Sequence, residues 1–315
     1  MASSGLTKTP LFVRSQKGGL FCVNNETDGT GDIFFVGSTV SGASDSSGYG
    51  RNPDAPFATV DYAIGQCTAN KYDKIFVMPG HAETVTAAIM VDVAGISIIG
   101  LGNGDNRPTF TLTGNVPCFN VGADDVKISN LRFYGATDYT TYLMNLMRIA
   151  ASDVEVSGCE FKINCKMLYT VRIVSGDKVT IKDSVFINTK HDAAGAAGRK
   201  SQTAILNIGG TKVLVKGCRF NDTGADKAHR WKTCVEGGKL TASLTVEDCT
   251  FICRGVATAT RSAAASGFMA TLFCRGISPS SNTAVGSIFT PTYQYIVETY
   301  NVAAVNKVGV VTVTT

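Results

Sequence analysis

Five stretches of the chain share one eight-residue pattern of apolar and polar positions and align without a gap: Val126–Phe133, Val154–Phe161, Val179–Phe186, Val213–Phe220 and Leu244–Phe251. Positions 1 and 3 are Val, Ile or Leu and alternate with positions 2 and 4, which are polar apart from Leu214. That alternation predicts a short strand with one buried face. Position 5 is Asn130, Gly158, Asp183, Gly217 or Asp248, residue types that accept left-handed or tight-turn backbone, so the chain is expected to bend there. Beyond the bend, positions 6 and 8 turn inward again. They form one column of Leu131, Cys159, Ser184, Cys218 and Cys249 and another of Phe133, Phe161, Phe186, Phe220 and Phe251.

The five starts lie 28, 25, 34 and 31 residues apart. Fixed strands joined by loops of variable length predict an all-β fold, a right-handed, single-stranded parallel β-helix whose coils stack about 4.8 Å apart and bury each column against the next. Ile75–Gly80, Gly95–Gly100, Thr109–Gly114 and Cys118–Val121 fit the same stack more loosely, which brings the expectation to six or seven coils.

Open ends of such a stack need covering. Phe57, Val60, Ala63, Ile64 and Cys67 recur at helical spacing, so a short helix near residues 56–67 is expected to plug the first coil, after an exposed Ser-, Gly- and Asp-rich loop from Ser38 to Pro56. The organisation expected is an N-terminal arm over 1–37, the β-helix over 38–276 and a β-rich cap or arm over 277–315. The apolar residues Leu11, Phe12, Val13, Phe21, Phe34 and Phe35 mark the arm as a surface that docks on a neighbouring subunit.

Charge narrows the partners. A net charge of +4, from 29 basic and 25 acidic residues spread along the chain, argues for neither nucleic acid nor an anionic membrane surface. The first residues carry no apolar run behind a basic segment, so no secretory signal is expected, and no stretch reaches the length of a membrane span. The ten cysteines lack paired spacing and fall mostly within apolar runs, which reads as reduced core thiols made in a cytoplasm.

The lead-in to the repeats carries a resemblance. Asp54–Ile64, followed by Ile75–Glu83 and Ile98–Gly102, resembles the start of pectate-lyase-like parallel β-helices. Together with Asn106–Phe110 it is similar to β-helix proteins among the structural genes of tailed bacteriophages, over about residues 54–255. The resemblance implies the fold and leaves activity open, because β-helices serve as lyases, hydrolases, adhesins and particle components.

The residues offer little catalytic chemistry. A lyase of this fold needs a base beside stacked carboxylates that hold Ca²⁺, and neither outward column of the repeats stacks aspartates. A glycosidase needs two carboxylates roughly 5–9.5 Å apart. Asp183 and Asp248, two coils apart in one column, are the sharpest candidates, although their column is that of the bends. His81, His191 and His229 read as surface loop residues, and no metal site or cofactor is expected. Trp231, with His229 and Arg230, stands in a basic insert that suggests a glycan or partner contact.

Two function classes follow from these readings. The first is a non-enzymatic virion component on the capsid surface, a decoration protein whose partners are the major capsid protein and its own copies, as a homotrimer, without nucleic acid or membrane. The second is a tail spike that binds or cleaves host polysaccharide.

Overall fold

In a computed structural model, residues 31–135, 144–165, 167–189, 203–221, 231, 234–237 and 244–250 are described in full, together with the strand courses at 12–14, 21–23, 222, 233, 251–253 and within 264–300. Three parallel sheets wind into a β-helix. Among the fully described residues, six coils each contribute one strand to each sheet. The first coil runs through Lys74–Val77, Ala82–Val85 and Ile89–Val91, and the sixth through Val213–Lys216, Arg219–Asp222 and Thr233–Gly237. Leu244–Cys253 then runs on along the first two sheets.

The gapless alignment of the repeats is the hydrogen-bonded register itself. Ile128, Val156, Ile181, Val215 and Val246 pair in succession, and so do Phe133, Phe161, Phe186, Phe220 and Phe251. The first column continues back through Ile98 and Ile75 to Phe34, all buried. Position 8 forms a ring stack: Phe133, Phe161, Phe186 and Phe220 lie 4.8–5.0 Å apart, centroid to centroid, within 9–13° of parallel. Each such ring removes on the order of 1.5–3 kcal/mol of apolar surface from water, and each contact adds roughly 0.5–1.5 kcal/mol.

Position 6 has its own logic. The thiols of Cys159, Cys218 and Cys249 donate to the carbonyls of Ser157, Lys216 and Glu247, two residues back, at 3.2–3.5 Å. The Ser184 hydroxyl donates likewise to Lys182 O at 2.9 Å. A small side chain with a weak donor fills the inner corner of the bend and satisfies a carbonyl there. These cysteines are free and buried, and burial pushes the Cys159 thiol up to about 12, which keeps it protonated.

At the N-terminal end, α1 (Val60–Gly65) lies across the first coil with Val60, Ala63 and Ile64 buried. It is shorter than the span 56–67 read from the spacing: Phe57 is buried too, but through a bridge to Val36 outside the helix. Thr59 caps α1 by accepting from the Tyr62 N–H, and Asp45 accepts from the N–H groups of Ala58 and Thr59.

The arm begins further from the core than 1–37 implies. Ile33–Val36 is the first rung of the first sheet, paired in parallel with Lys74–Val77. Phe34 is 2% exposed, with its ring 5.9 Å from that of Phe57, and Phe35 stacks on Phe76 on the outer face. Both belong to the β-helix rather than to a docking arm, because alternation on a paired strand sends one inward and the next outward. Phe12–Arg14 and Phe21–Val23 pair antiparallel with each other, and Leu11 lies outside the described residues.

Candidate functional site

Asp183 and Asp248 occupy the bends. Their φ angles are 51° and 49°, in line with Asn130 at 54°, Gly158 at 60° and Gly217 at 62°. An Asp carboxylate helps its own residue into the left-handed region, so the turn accounts for both side chains. Lys216 stands among these carboxylates. Its hydrogen bond to Glu247, at 3.1 Å, raises its pKa above the ordinary lysine range, with Asp248 and Asp183 adding to the effect. A paired ammonium held in its charged form neutralises this corner and offers no general base.

A second column of left-handed residues stands at the other end of the first-sheet strands of the six coils: Tyr72, Gly95, Asp125, Asp153, Lys178 and Lys212, at φ 50–75°. Beside it the coils are tied turn to turn. Asp124 accepts from the Ser152 N–H, Ser152 Oγ accepts from the Asp177 N–H, and the Thr211 hydroxyl donates to Asp177 Oδ1 at 2.7 Å. Lys178 meets Asp153 at 3.4 Å and Lys212 meets Asp177 at 3.0 Å. The Thr211 hydroxyl and then Lys212 hold the Asp177 carboxyl below the usual carboxylate range.

Two residues read as exposed are interior. His81 is 1% exposed. The Ser38 N–H donates to His81 Nδ1 at 3.0 Å, so the ring proton sits on Nε2 and points at Glu83 Oε2, 3.1 Å away. Glu83 Oε2 also accepts from the Val60 N–H at 3.2 Å, which ties α1 to the first coil. Trp231 is 3% exposed and packs edge-on against Phe220, ring centroids 6.5 Å apart. It is a core residue rather than a glycan contact, because its indole is buried beside the ring column. His229, Arg230 and His191 lie outside the described residues.

Among the described residues, Tyr72 is the aromatic that stands out as exposed, at about half, with φ 61°. It lines one end of the first sheet's outer face, where a groove of about 230 Å³ lies. The in-register rows Ser97, Lys127, Glu155 and Ile99, Ser129, Ser157 line it, with Lys74, Gly95 and Asp125 at its margin. The sequence gives little warning of this site, since Tyr72 lies outside the repeat and its neighbours are ordinary outward positions. Among the described residues, no group of three or more metal-ligating side chains comes together.

No family model matches the chain, and no curated protein sequence matches it either. Among solved structures, a rhamnogalacturonan lyase superposes with a TM-score of 0.55 at 16% sequence identity, over 84% of this chain and 66% of that one. The likeness establishes the parallel β-helix fold it shares with that protein.

Proposed function

We propose that this chain is a non-enzymatic structural protein of a tailed-bacteriophage virion, a decoration protein that stands on the capsid shell and binds the major capsid protein and its own copies. The observation that carries the reading is how the outer surface is used. Polar side chains along the rod tie one coil to the next: Lys178 to Asp153, Lys182 to Glu155, Lys212 to Asp177, Lys216 to Glu247 and Arg132 to Glu160. The catalytic candidates Asp183 and Asp248 serve as turn residues in the same framework. A surface committed to axial cross-ties suits a rigid reinforcing element. The stretch Asp54–Ile64, which carries the phage resemblance, builds the plug of the first coil.

A homotrimer on the capsid is the assembly this reading favours, because threefold positions recur on such shells. The test is the copy number of the chain in purified particles, by quantitative mass spectrometry against the major capsid subunit. A ratio of the same order as the capsid subunit is expected; a few copies per particle would replace this reading with a tail spike, and absence would overturn it. Because the β-helix already begins at Ile33, an arm deletion must stop at residue 30. Deleting residues 1–30 is expected to abolish particle binding with the far-ultraviolet circular dichroism of the β-helix retained, and a truncated chain that still binds particles would remove the arm from the proposal.

A further inference from the structure

We propose that the N-terminal hairpin of the chain, residues 12–23, packs back on the outer face of the first sheet, over an apolar strip formed by Ile33, Phe35, Phe76 and Ile99. The inference concerns the free chain and stands apart from the particle reading. Three observations converge on it.

The first is a break in the outer pattern. Phe35, Phe76 and Ile99 follow one another in register, at the same outward position of three successive rungs. From the next rung on, that position is Ser129, Ser157, Lys182, Lys216 and Glu247. Ile33 lies on the same face as Phe35, by the alternation that buries Phe34 and Val36. None of the four belongs to the buried core, and each is half-buried. Phe35 and Phe76 stack on each other, ring centroids 5.9 Å apart, and half-exposed Tyr72 stands at the margin beside Ile99. Single apolar side chains scattered over a surface are ordinary, whereas adjoining ones on three consecutive rungs leave a continuous strip that association would remove from water.

The second observation is a hairpin that lacks a third element. Phe12–Arg14 and Phe21–Val23 pair antiparallel into a two-stranded sheet of their own, apart from the sheets of the rod. A two-stranded hairpin is marginal in water by itself and needs a further strand or an apolar surface to hold its shape. The sequence here is rich in residues that such a surface accepts: Leu11, Phe12, Val13, Phe21 and Val23.

The third is reach. The chain leaves the rod at the edge of the strip. The Asp32 N–H donates to the buried Asp73 carboxylate, and a Cβ at Gly31 would fall 2.3 Å from the Tyr72 carbonyl carbon, so residues 31 and 32 are pinned beside Tyr72. Residues 24–30 remain as a tether, and seven residues span at most about 25 Å. The three rungs occupy only about 10 Å along the rod. The hairpin therefore reaches the strip of its own chain. A tether this short gives it an effective concentration on the order of millimolar there, which a second copy in dilute solution does not match. Reach thus selects the chain's own hairpin as the occupant.

Hydrogen exchange of the full chain, read by mass spectrometry on peptides covering 12–14 and 21–23, tests the contact. Slow exchange is expected there in the wild type. Phe76→Ser and Ile99→Ser, each replacing an outward side chain, are each expected to speed it at least about tenfold while exchange in the later coils stays as it was. Ser157→Ala, two rungs beyond Ile99 in the same row, should leave the hairpin protected. Where a serine variant fails to fold, deletion of residues 1–30 decides: hydroxyl-radical labelling of Phe35 and Phe76 is expected to rise once the hairpin is gone. Hairpin amides that exchange as fast as those of an isolated peptide, or that stay protected in both folded serine variants, would overturn the proposal, as would labelling indifferent to the deletion. Protection that falls on dilution in step with a dimer-to-monomer transition would overturn it too, by giving the strip to a second copy.

Discussion

Left-handed residues at the bends set what each position tolerates. At Gly217 the backbone sits at φ 62°, and a Cβ would lie 2.5 Å from Asp183 Oδ1 in the coil before it. Gly217→Ala is therefore expected to destabilise the fold by about 1–2 kcal/mol in urea denaturation, from backbone strain plus displacement of the carboxylate. Gly122→Ala, at a glycine with open space around it and no positive φ, is expected to be near neutral, which makes it the matched control. The bends were legible in the sequence because Asn, Asp and Gly announce a left-handed residue. The second left-handed column was not, since Lys178 and Lys212 belong to no turn-forming type. The turn is set by backbone bonds to the next coil, as from the Lys178 N–H to Thr211 O at 2.9 Å, and the lysines reach Asp153 and Asp177 only once the coils are stacked.

At the level of strands and turns, the ring column carries the energy and the turn ladder carries the pH response. Phe161 is fully buried with rings 5.0 and 4.8 Å away on either side. Phe161→Ala is expected to cost about 3–5 kcal/mol, measured by chemical denaturation, because a rod wound this tightly cannot close the cavity. Asp177 titrates below the ordinary carboxylate range in the folded chain, so its contribution is present above the unfolded value of about 3.9 and fades as pH falls through the folded one. The stability gap between wild type and Asp177→Asn should accordingly be open at pH 7 and close in acid; a gap independent of pH would reject this assignment. The first two sheets were readable from the eight-residue pattern, as its gapless alignment turned out to be their register. The third sheet was largely hidden. Its strands follow loops of changing length, so no fixed offset from the repeat marks them.

On the scale of the molecule, the N-terminal end is closed by a buried polar knot rather than by helix packing alone. His81, Glu83, Ser38 and Val60 join the first coil, the loop after the first rung and α1 through three hydrogen bonds. Sequence reasoning found the plug from its helical spacing but took His81 for a surface residue, because a histidine after Pro-Gly carries no sign of burial. Trp231, expected at a glycan or partner contact, is likewise buried, against the ring of Phe220. His81 is fixed by Ser38, 43 residues away, and Trp231 by Phe220, on the strand before it in the same coil.

The register of the repeats bears on how such a chain changes length over generations. Val154 and Val179 begin successive coils, and each of their columns continues unbroken above and below. A tandem duplication of the 25 residues from Val154 to Lys178 would insert one further turn of the spiral with every inward column preserved, and its loss would shorten the rod by the same increment. Coding changes of that kind leave both ends as they were. Heredity can thus adjust the reach of this molecule in whole steps, without designing a new surface at either tip.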